Sequence, residues 1–245
     1  MDEARRAPAG SEPYERLGEL YDRWCESVDE DLPFYREHCR GADGTVVELG
    51  CGSGRIAVPL ALDGHQLTGL DGSPRMLELC RERARVAGVE DRITLVLGDL
   101  RDPPPLGPAA RVVAPFRPYL HLSGDDERIA ALRGACGLLA DDGLLAFDVF
   151  EPSIGDVRHT DGRWIEREND IWERARWDWR GRTIELSVRS HGHLVTMQLE
   201  WRSAADWRAL CVRAGLEITA VYAGFGGDPS NGWPGDHVFV CRRAR

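Results

Sequence analysis

The sequence lacks the features of membrane-inserted and secreted chains. No apolar run reaches the ~18 residues that a membrane-spanning helix needs. Residues 1–6 are mostly charged and lead into Ala-Pro-Ala-Gly rather than into a hydrophobic signal segment. We therefore expect a protein that does not associate with membranes.

Paired cysteine motifs are also absent. The seven cysteines form no Cys-x-x-Cys pair, their number is odd, and most of them lie in apolar patterns. Free cysteine in such a setting behaves as a small hydrophobic residue, whereas a disulfide framework is typical of oxidising compartments. The cysteine pattern thus predicts a protein of the reducing cytoplasm, without disulfides.

Positive charge is outweighed by negative charge. The 245 residues include 31 Lys and Arg against 41 Asp and Glu, which gives a formal net charge of −10 and a pI near 5.2. An acidic chain repels phosphate backbones, which argues against nucleic acid as a partner. The hydrophobic content of 42% is ample for a packed core, and the length suits one domain with an elaboration.

The chain does contain a buried-strand pattern that ends in glycines. Val46, Val47 and Leu49 are bulky and apolar, as a parallel strand covered on both faces requires. The loop Gly50-Cys51-Gly52-Ser53-Gly54 follows, and a helical pattern comes after it. Glycine lets the backbone turn tightly and lie close against a ligand, and helix N-terminal amides favour a negative group. This is a pattern typical of nucleotide-like ligand sites.

Two further strand patterns end in acids. The strand predicted at 66–70 ends in Asp71, about 20 positions after Gly50, a spacing that fits an acid binding ribose hydroxyls. The strand predicted at 93–97 ends in Gly98-Asp99. Because open α/β sheets bind ligands at the carboxyl edge of their strands, we expect these acids to lie at one site.

Together these segments resemble the motifs of class I S-adenosylmethionine-dependent methyltransferases. The order and spacing of V-V-E-L-G-C-G-S-G-R, T-G-L-D-G-S-P-R-M-L and V-L-G-D-L match the family over residues 31–150. A NAD-binding Rossmann domain would instead show G-x-G-x-x-G, but Arg55 stands where its last glycine belongs. The resemblance implies S-adenosyl-L-methionine as the cofactor and S-adenosyl-L-homocysteine as its product, and it says little about the acceptor.

The resemblance also implies a set of cofactor contacts. Glu48 would take the ammonium of the cofactor, Arg55 its carboxylate and Asp99 the adenine amino proton. Two of these residues also have a purely structural interpretation. Arg55 could be an exposed residue of the first helical turn, and Asp99 could be an acid that stabilises a turn. Met76 could pack on the adenine or belong to the core. The expected cofactor-binding residues are Tyr21, Glu48, Gly50, Cys51, Gly52, Arg55, Asp71, Gly72, Met76, Asp99, Leu100 and Ala114.

The N-terminal segment is predicted to form a helical lid. Apolar residues from Tyr14 to Val28 recur at helical spacing. The triplet Leu20-Tyr21-Asp22 resembles the segment before the first motif of small-molecule methyltransferases, where tyrosines reach the cofactor or the acceptor. We favour Tyr21 over Tyr14 for this role. A helix that merely packs its apolar stripe on the sheet is the alternative.

The fourth strand pattern, 111–114, leads to the edge that holds the transferring methyl group in this family. The sequence A-P-F-R at 114–117 lacks the N/D-P-P-Y of DNA adenine methyltransferases. Asp125 and Asp126 indicate a helix start rather than a Mg²⁺ site, so no metal is expected. His121, with an ordinary pKa near 6.5, is the candidate general base, and a structural histidine is the alternative. Phe116 and Tyr119 are candidates for acceptor contacts.

Residues 151–202 change to alternating patterns, with Gly181 and Gly192 where hairpin turns belong. We predict a three- or four-stranded antiparallel insertion. It contains five of the eight tryptophans, which stabilise a sheet face through cross-strand pairs. Trp164 and Trp201 are predicted to line the acceptor pocket, and a homodimer surface on the insertion is a further expectation.

The predicted fold is α/β, a Rossmann-like, mostly parallel seven-stranded sheet flanked by helices, whose final strand runs antiparallel. The predicted units are a disordered tail (1–10), the lid (11–40), the cofactor-binding core (41–150), the β insertion (151–202) and a final helix with two strands (203–245). The expected activity is in-line methyl transfer to a nitrogen or oxygen of a small molecule, with His121 as base. A protein or RNA methyltransferase and a cofactor-binding module without transferase activity remain the alternatives.

Overall fold

The computed structural model describes Pro8 and residues 11–245, and the tail predicted at 1–10 otherwise lies outside the described residues. Two sheets contain the strands of this part of the chain. The strands are β1 (Val46–Leu49), β2 (Leu67–Asp71), β3 (Ile93–Leu97), β4 (Ala109–Ala114), β5 (Leu139–Glu151), β6 (Ile165–Glu168), β7 (Ile171–Asp178), β8 (Thr183–Ser190), β9 (His193–Glu200), β10 (Leu216–Ala223) and β11 (Gly235–Arg243). The central sheet has seven strands in the order β10-β11-β5-β4-β1-β2-β3.

The first five strands of this sheet run parallel, and β1 lies between β2 and β4. All four residues of β1 are buried, because helices cover both faces of the sheet. The helices are α1 (Glu12–Leu17), α2 (Leu20–Trp24), α3 (Leu32–Cys39), α4 (Ala57–Leu62), α5 (Pro74–Val86), α6 (Gly124–Leu138), α7 (Ile154–Thr160) and α8 (Ala204–Arg213).

The last two strands close the sheet on its antiparallel side. Strand β11 lies between β5 and β10 and pairs antiparallel with both. Phe147 of β5 stacks on Phe239 of β11 with ring centroids 5.2 Å apart, and Trp207 of α8 covers Phe147. The predicted seven-stranded, mostly parallel sheet is confirmed.

The second sheet is antiparallel, in the order β6-β7-β8-β9. The predicted antiparallel insertion is therefore confirmed, with four strands. It is preceded by α7, a helix that the loss of helical periodicity after residue 150 did not predict. A capping box in which Ser153 and Asp156 satisfy each other's backbone amides starts this helix.

The N-terminal segment forms three short helices rather than the continuous helix that its periodicity predicted. Gly18, with φ at +49°, separates α1 from α2, and a non-glycine residue rarely adopts that conformation. Helix α1 contacts both helix α5 of the core and the second sheet. Glu15 accepts hydrogen bonds from Ser73 Oγ (2.5 Å) and the Arg75 amide (3.0 Å) at the start of α5. On the other side, the Arg16 carbonyl accepts a hydrogen bond from His193 Nε2 of β9 at 2.7 Å.

Candidate active site

Two cavities adjoin the carboxyl edge of the parallel strands. We call the first the glycine-loop cavity. It measures about 100 Å³ and is lined by Gly52, Asp71 and Asp99 from the core and by Tyr14 and Tyr21 from the lid. The second, the sheet cavity, measures about 360 Å³ and lies between this edge and the inner face of the second sheet. The core, the lid and the insertion therefore meet at one place.

The backbone of the glycine loop forms the floor of the first cavity. Gly52 and Gly54 have φ of +53° and +84°, which favours glycine at both positions. A Cβ at Gly54 would lie 2.6 Å from the Sγ atom of Cys80. The absence of side chains thus lets the loop fold tightly and leaves its backbone facing the cavity.

Asp71 lines this cavity at the end of β2. Its Oδ2 accepts a hydrogen bond from the Gly52 amide (2.8 Å), and its Oδ1 accepts one from the Ser73 amide (2.9 Å). Burial raises the pKa of Asp71 to about 6, although these amide hydrogen bonds oppose the shift. The carboxylate is charged at pH 7 and is placed to accept hydrogen bonds from a diol.

The opposite side of the glycine-loop cavity is formed by Asp99 and Leu100, which follow β3. Asp99 pairs with Arg101 at 2.5 Å and also accepts the Arg101 amide at 2.8 Å. Burial opposes ionisation of Asp99, but the hydrogen bonds from Arg101 hold its pKa below the ordinary value. Asp99 is therefore an ionised acceptor at the cavity.

The lid covers the same cavity closely. Gly72 lines it, and a Cβ at Gly72 would lie 3.2 Å from Pro8 Cγ and from Ser11 Cβ. Gly50 also lines it, beneath the ring of Pro118. These two expected residues act through their backbone, since a side chain at Gly72 would displace the lid.

Glu48 and Arg55 lie away from the wall of the glycine-loop cavity. Glu48 is 2% exposed, and its Oε2 has no hydrogen-bond partner among the described residues. Burial raises the pKa of Glu48. Arg55 pairs with Asp31 of the lid through two contacts of 2.6 Å, because the buried Asp31 carboxylate needs a cation. Arg55 therefore fastens the lid to the glycine loop in this structure.

Three other expected cofactor residues pack behind the cavity. Cys51, Met76 and Ala114 are buried, and none of them lines either cavity. Cys51 faces Gly69 of β2, where an added Cβ would lie 2.8 Å from its Sγ. Apolar side chains at these positions support the loop from beneath.

Alternate residues of β7 form one wall of the sheet cavity. Glu173, Ala175 and Trp177 face the cavity, whereas Trp172 points to the other face of the sheet, as the period of two in a strand dictates. Glu173 Oε2 accepts a hydrogen bond from the indole Nε1 of Trp24 at 2.9 Å. The wall is thus aromatic and acidic.

A strained turn after β4 forms the inner end of the sheet cavity. Phe116 and Arg117 have φ of +63° and +60°, which non-glycine residues rarely adopt. Asp148 of β5 holds this turn, since its Oδ1 accepts the Phe116 amide at 2.8 Å and the hydroxyl of Tyr35 at 2.7 Å. Burial raises the pKa of Asp148 to about 6, against the opposing charge of Arg117.

Tyr14, Phe116 and His121 line both cavities and so mark their junction. The Tyr14 hydroxyl and the Nε2 atom of His121 are 2.7 Å apart. Burial lowers the pKa of His121 to about 4, so the imidazole is neutral at pH 7. A neutral, hydrogen-bonded imidazole therefore lies at the boundary of the two cavities.

The remaining expected acceptor residues lie elsewhere. Tyr119 is fully buried against Phe147, because the 3-10 turn at 118–121 directs Tyr119 inward. Trp164 packs beneath the guanidinium groups of two arginines on the outer face of the second sheet. Trp201 is buried beside Trp179. The tryptophans that line the sheet cavity are Trp24 and Trp177.

The sequence did not predict the acids of the sheet cavity, among them Asp148 and Glu173. Asp148 interrupts the apolar run of β5 near its carboxyl end, which is the same signal that drew attention to Glu48. Glu173 shares the alternation of Ala175 and Trp177. Both signals were present in the sequence, although neither identified the cavity that the side chains line.

Several kinds of site are not formed by residues 11–245. No cluster of three or more His, Cys, Asp and Glu side chains is arranged there to hold a metal ion. The seven cysteines are buried and free. Within the described part of the chain, no helix combines the length and apolar character needed to cross a bilayer.

Comparison with known proteins gives consistent matches. A family model described as "Methyltransferase domain" matches residues 46–143. The cypemycin N-terminal methyltransferase of a Streptomyces species is 29% identical over 215 residues, which are 83% of this chain and 85% of that protein. The chain spans less than two thirds of the length of several other curated methyltransferases that it matches.

Solved structures extend the similarity to nearly the whole chain. The CcbJ methyltransferase from Streptomyces caelestis superposes with a TM-score of 0.83 at 26% identity, covering 95% of this chain and 98% of that one. The glycopeptide N-methyltransferase MtfA, complexed with S-adenosyl-L-methionine, superposes with a TM-score of 0.61 at 18% identity, covering 89% and 95%. At that identity MtfA supports the fold alone.

Proposed function

Because this chain belongs to the class I S-adenosylmethionine-dependent methyltransferases, we propose that it methylates a nitrogen atom of a small molecule bound in the sheet cavity. The shared lining by Tyr14, Phe116 and His121 carries the proposal, since it places the glycine-loop cavity next to a cavity of about 360 Å³. That volume is within the range of small-ligand sites. It favours a small acceptor over a folded macromolecule.

Nitrogen is the preferred acceptor atom. The relative that matches over 83% of the chain is named an N-terminal methyltransferase. Acidic side chains such as Glu173 and Asp148 line the proposed acceptor cavity and suit a basic group. Methylation of an oxygen atom is the alternative that the labelling experiment below distinguishes from methylation of nitrogen.

The residues around the glycine loop fit S-adenosylmethionine. The buried Glu48 oxygen without a partner lies behind the cavity wall, so it would take the ammonium of the cofactor through a bridging water, whereas the bare backbone of Gly50 and Gly52 lines the cavity directly. Asp71 would bind the ribose hydroxyls, and Asp99 the adenine amino group. When bound, the cofactor supplies a methyl group that its sulfonium sulfur has already activated.

The chain's own contribution is alignment and exclusion of water. The lid lies over the glycine-loop cavity, and Tyr14 and Phe116 would restrict the acceptor to the junction. His121 is the proposed proton acceptor through its Nε2 atom. The Tyr14 hydroxyl is hydrogen-bonded to the same atom. With a pKa lowered to about 4, His121 accepts a hydrogen bond from an amine that attacks in its neutral form, and the proton of the methylated product finally leaves to solvent.

We expect His121→Ala to lower kcat by about 100-fold, the lower end of typical general-base effects. Cofactor affinity should stay within about threefold, because the binding residues of the glycine loop are untouched. Steady-state kinetics at saturating acceptor and calorimetry with S-adenosylhomocysteine measure the two effects. His65→Ala, remote from both cavities, is the matched control. Unchanged turnover in His121→Ala would remove His121 from the mechanism.

The activity itself is tested by incubating the protein with methyl-labelled S-adenosylmethionine and a cell extract that is then separated by mass. Label in the low-mass fraction on nitrogen supports the proposal, and label on oxygen corrects the acceptor atom. Label in protein or RNA would favour a macromolecular methyltransferase. Tight cofactor binding without transfer to any fraction would favour a binding module.

A further inference from the structure

The inner end of the sheet cavity holds a carboxylate oxygen that no described residue satisfies. Asp148 lines this cavity and is 1% exposed. Its Oδ1 accepts the Tyr35 hydroxyl and the Phe116 amide, whereas its Oδ2 accepts no hydrogen bond from the described residues. Arg117 Nε stays 4.0 Å away, because the Arg117 guanidinium pairs with Asp236 at 2.5 Å. A buried acceptor oxygen therefore faces the cavity.

Negative charge predominates in the lining of the cavity. The charged lining residues are Glu30, Asp31, Asp148, Asp156 and Glu173 against Arg117 and Arg167. Arg55 compensates Asp31, and Asp236 in turn compensates Arg117. Glu173 is bound by the Trp24 indole and has no basic side chain within 4.0 Å among the described residues. A cationic ligand would offset this excess.

Aromatic side chains complete the cavity. Trp24, Phe116, Phe150, Trp177 and Phe225 line it. Such faces bury the apolar body of a ligand, and those of Phe116 and Phe150 already hold the guanidinium groups of Arg55 and Arg117, which shows that they attract cations. The combination of aromatic walls and an excess of carboxylates over basic side chains is complementary to an amphipathic amine.

We propose that Asp148 binds the ammonium group of the acceptor and thereby selects cationic amines with an apolar or aromatic body. The inference rests on the proposed role of the sheet cavity as the acceptor site. Phe116, whose amide is bound to the same carboxylate, lines both cavities. An amine held at Asp148 thus lies beside Phe116, and it gives up one proton to solvent before its neutral nitrogen attacks.

Binding to the wild-type protein gives the first test. Tryptophan fluorescence reports on the cavity through Trp24 and Trp177, and the probes are phenethylamine and its neutral counterpart 2-phenylethanol. With saturating S-adenosylhomocysteine at pH 7.5, the amine should bind at least about tenfold tighter, as expected for a charge-assisted hydrogen bond. Equal binding of the alcohol would overturn the inference, since a hydroxyl rather than an ammonium would then suit the site.

Variants of Asp148 give the second test. Asp148→Asn keeps the shape and removes the charge, so amine affinity should fall at least about tenfold while 2-phenylethanol affinity changes less than about threefold. Asp142→Asn, an exposed position at the other end of β5, is the matched control. Tyr35→Phe removes a donor to Oδ1 and keeps the charge, and it should leave amine affinity within about threefold. A loss in Tyr35→Phe equal to that in Asp148→Asn would assign Asp148 a structural role instead.

The two proposals fail separately, because this assay needs no methyl transfer. If amines bind as expected but labelled methyl reaches no amine in the extract, the proposed function is wrong and the binding role of Asp148 stands. If amines are methylated while Asp148→Asn binds phenethylamine like the wild type, the binding role is wrong. S-adenosylhomocysteine affinity and thermal melting report whether Asp148→Asn is folded. If it is not folded, the comparison of phenethylamine with 2-phenylethanol on the wild-type protein decides whether the inference holds.

Discussion

Asp71→Asn should weaken S-adenosylmethionine binding by about 10- to 100-fold without unfolding the protein. Hydrogen bonds to a charged acceptor contribute about 1.5–3 kcal/mol, and the substitution removes that charge from the cavity. Asparagine has nearly the same shape, and its oxygen can still accept the amide of Gly52 or Ser73, which now bind Asp71 at 2.8 and 2.9 Å. Isothermal titration calorimetry measures the affinity.

Asp91→Asn is the matched control, because Asp91 is an exposed carboxylate remote from the cavity. The pH dependence adds a second signature. Because burial raises the pKa of Asp71 to about 6, the carboxylate that accepts hydroxyl groups is present above that pH and is lost below it. Wild-type affinity should therefore fall as the pH drops through about 6, and Asp71→Asn should abolish this component. Affinity in Asp71→Asn within threefold of wild type would contradict the assignment.

Arg55→Met should destabilise the lid by about 3–5 kcal/mol, the usual cost of stranding one member of a buried ion pair. The Asp31 carboxylate is 1% exposed as a residue and receives both 2.6 Å contacts from Arg55. Without Arg55, the Asp31 carboxylate either stays buried without a cationic partner or becomes hydrated when the lid opens. Urea unfolding measures the free energy of unfolding, and hydrogen exchange over residues 11–40 detects local opening.

An exposed ion pair between the same regions provides the control. Arg36 of α3 pairs with Asp63 after α4 at 2.7 Å, with side chains 42% and 38% exposed. Arg36→Met should cost less than about 1 kcal/mol. In Arg55→Met/Asp31→Asn the loss should be smaller than the sum of the single losses, because neither charge is then stranded. Equal losses in Arg55→Met and Arg36→Met would contradict a special role for the buried pair.

The parallel core could be predicted from the sequence because its signals are local. An apolar run such as Val46–Leu49, buried on both faces, can hardly be anything but an inner strand, and the glycines after it require positive φ. Asp71 and Asp99 follow strands that pair in register, so their convergence at one edge follows from the fold class.

What the sequence did not predict depends on long-range partners or on single backbone angles. Gly18 breaks the lid through its own φ, although the apolar spacing runs on through it. For Arg55 the sequence left a contact with the cofactor carboxylate and an exposed first-turn position as alternatives, and it gave no sign that the lid brings Asp31 to Arg55. Trp164 and Trp177 look alike in the sequence, and only the register of the second sheet puts Trp177 on the cavity side.

The lid contributes Tyr14 to both cavities, and this has a kinetic consequence. If the sheet cavity holds the acceptor, as proposed, it is complete only with Tyr14 of the lid in place, and we expect the cofactor to enter before the lid takes that position. We therefore expect an ordered sequential reaction in which S-adenosylmethionine binds first and S-adenosylhomocysteine leaves last. S-adenosylhomocysteine should then inhibit competitively against S-adenosylmethionine and noncompetitively against the acceptor.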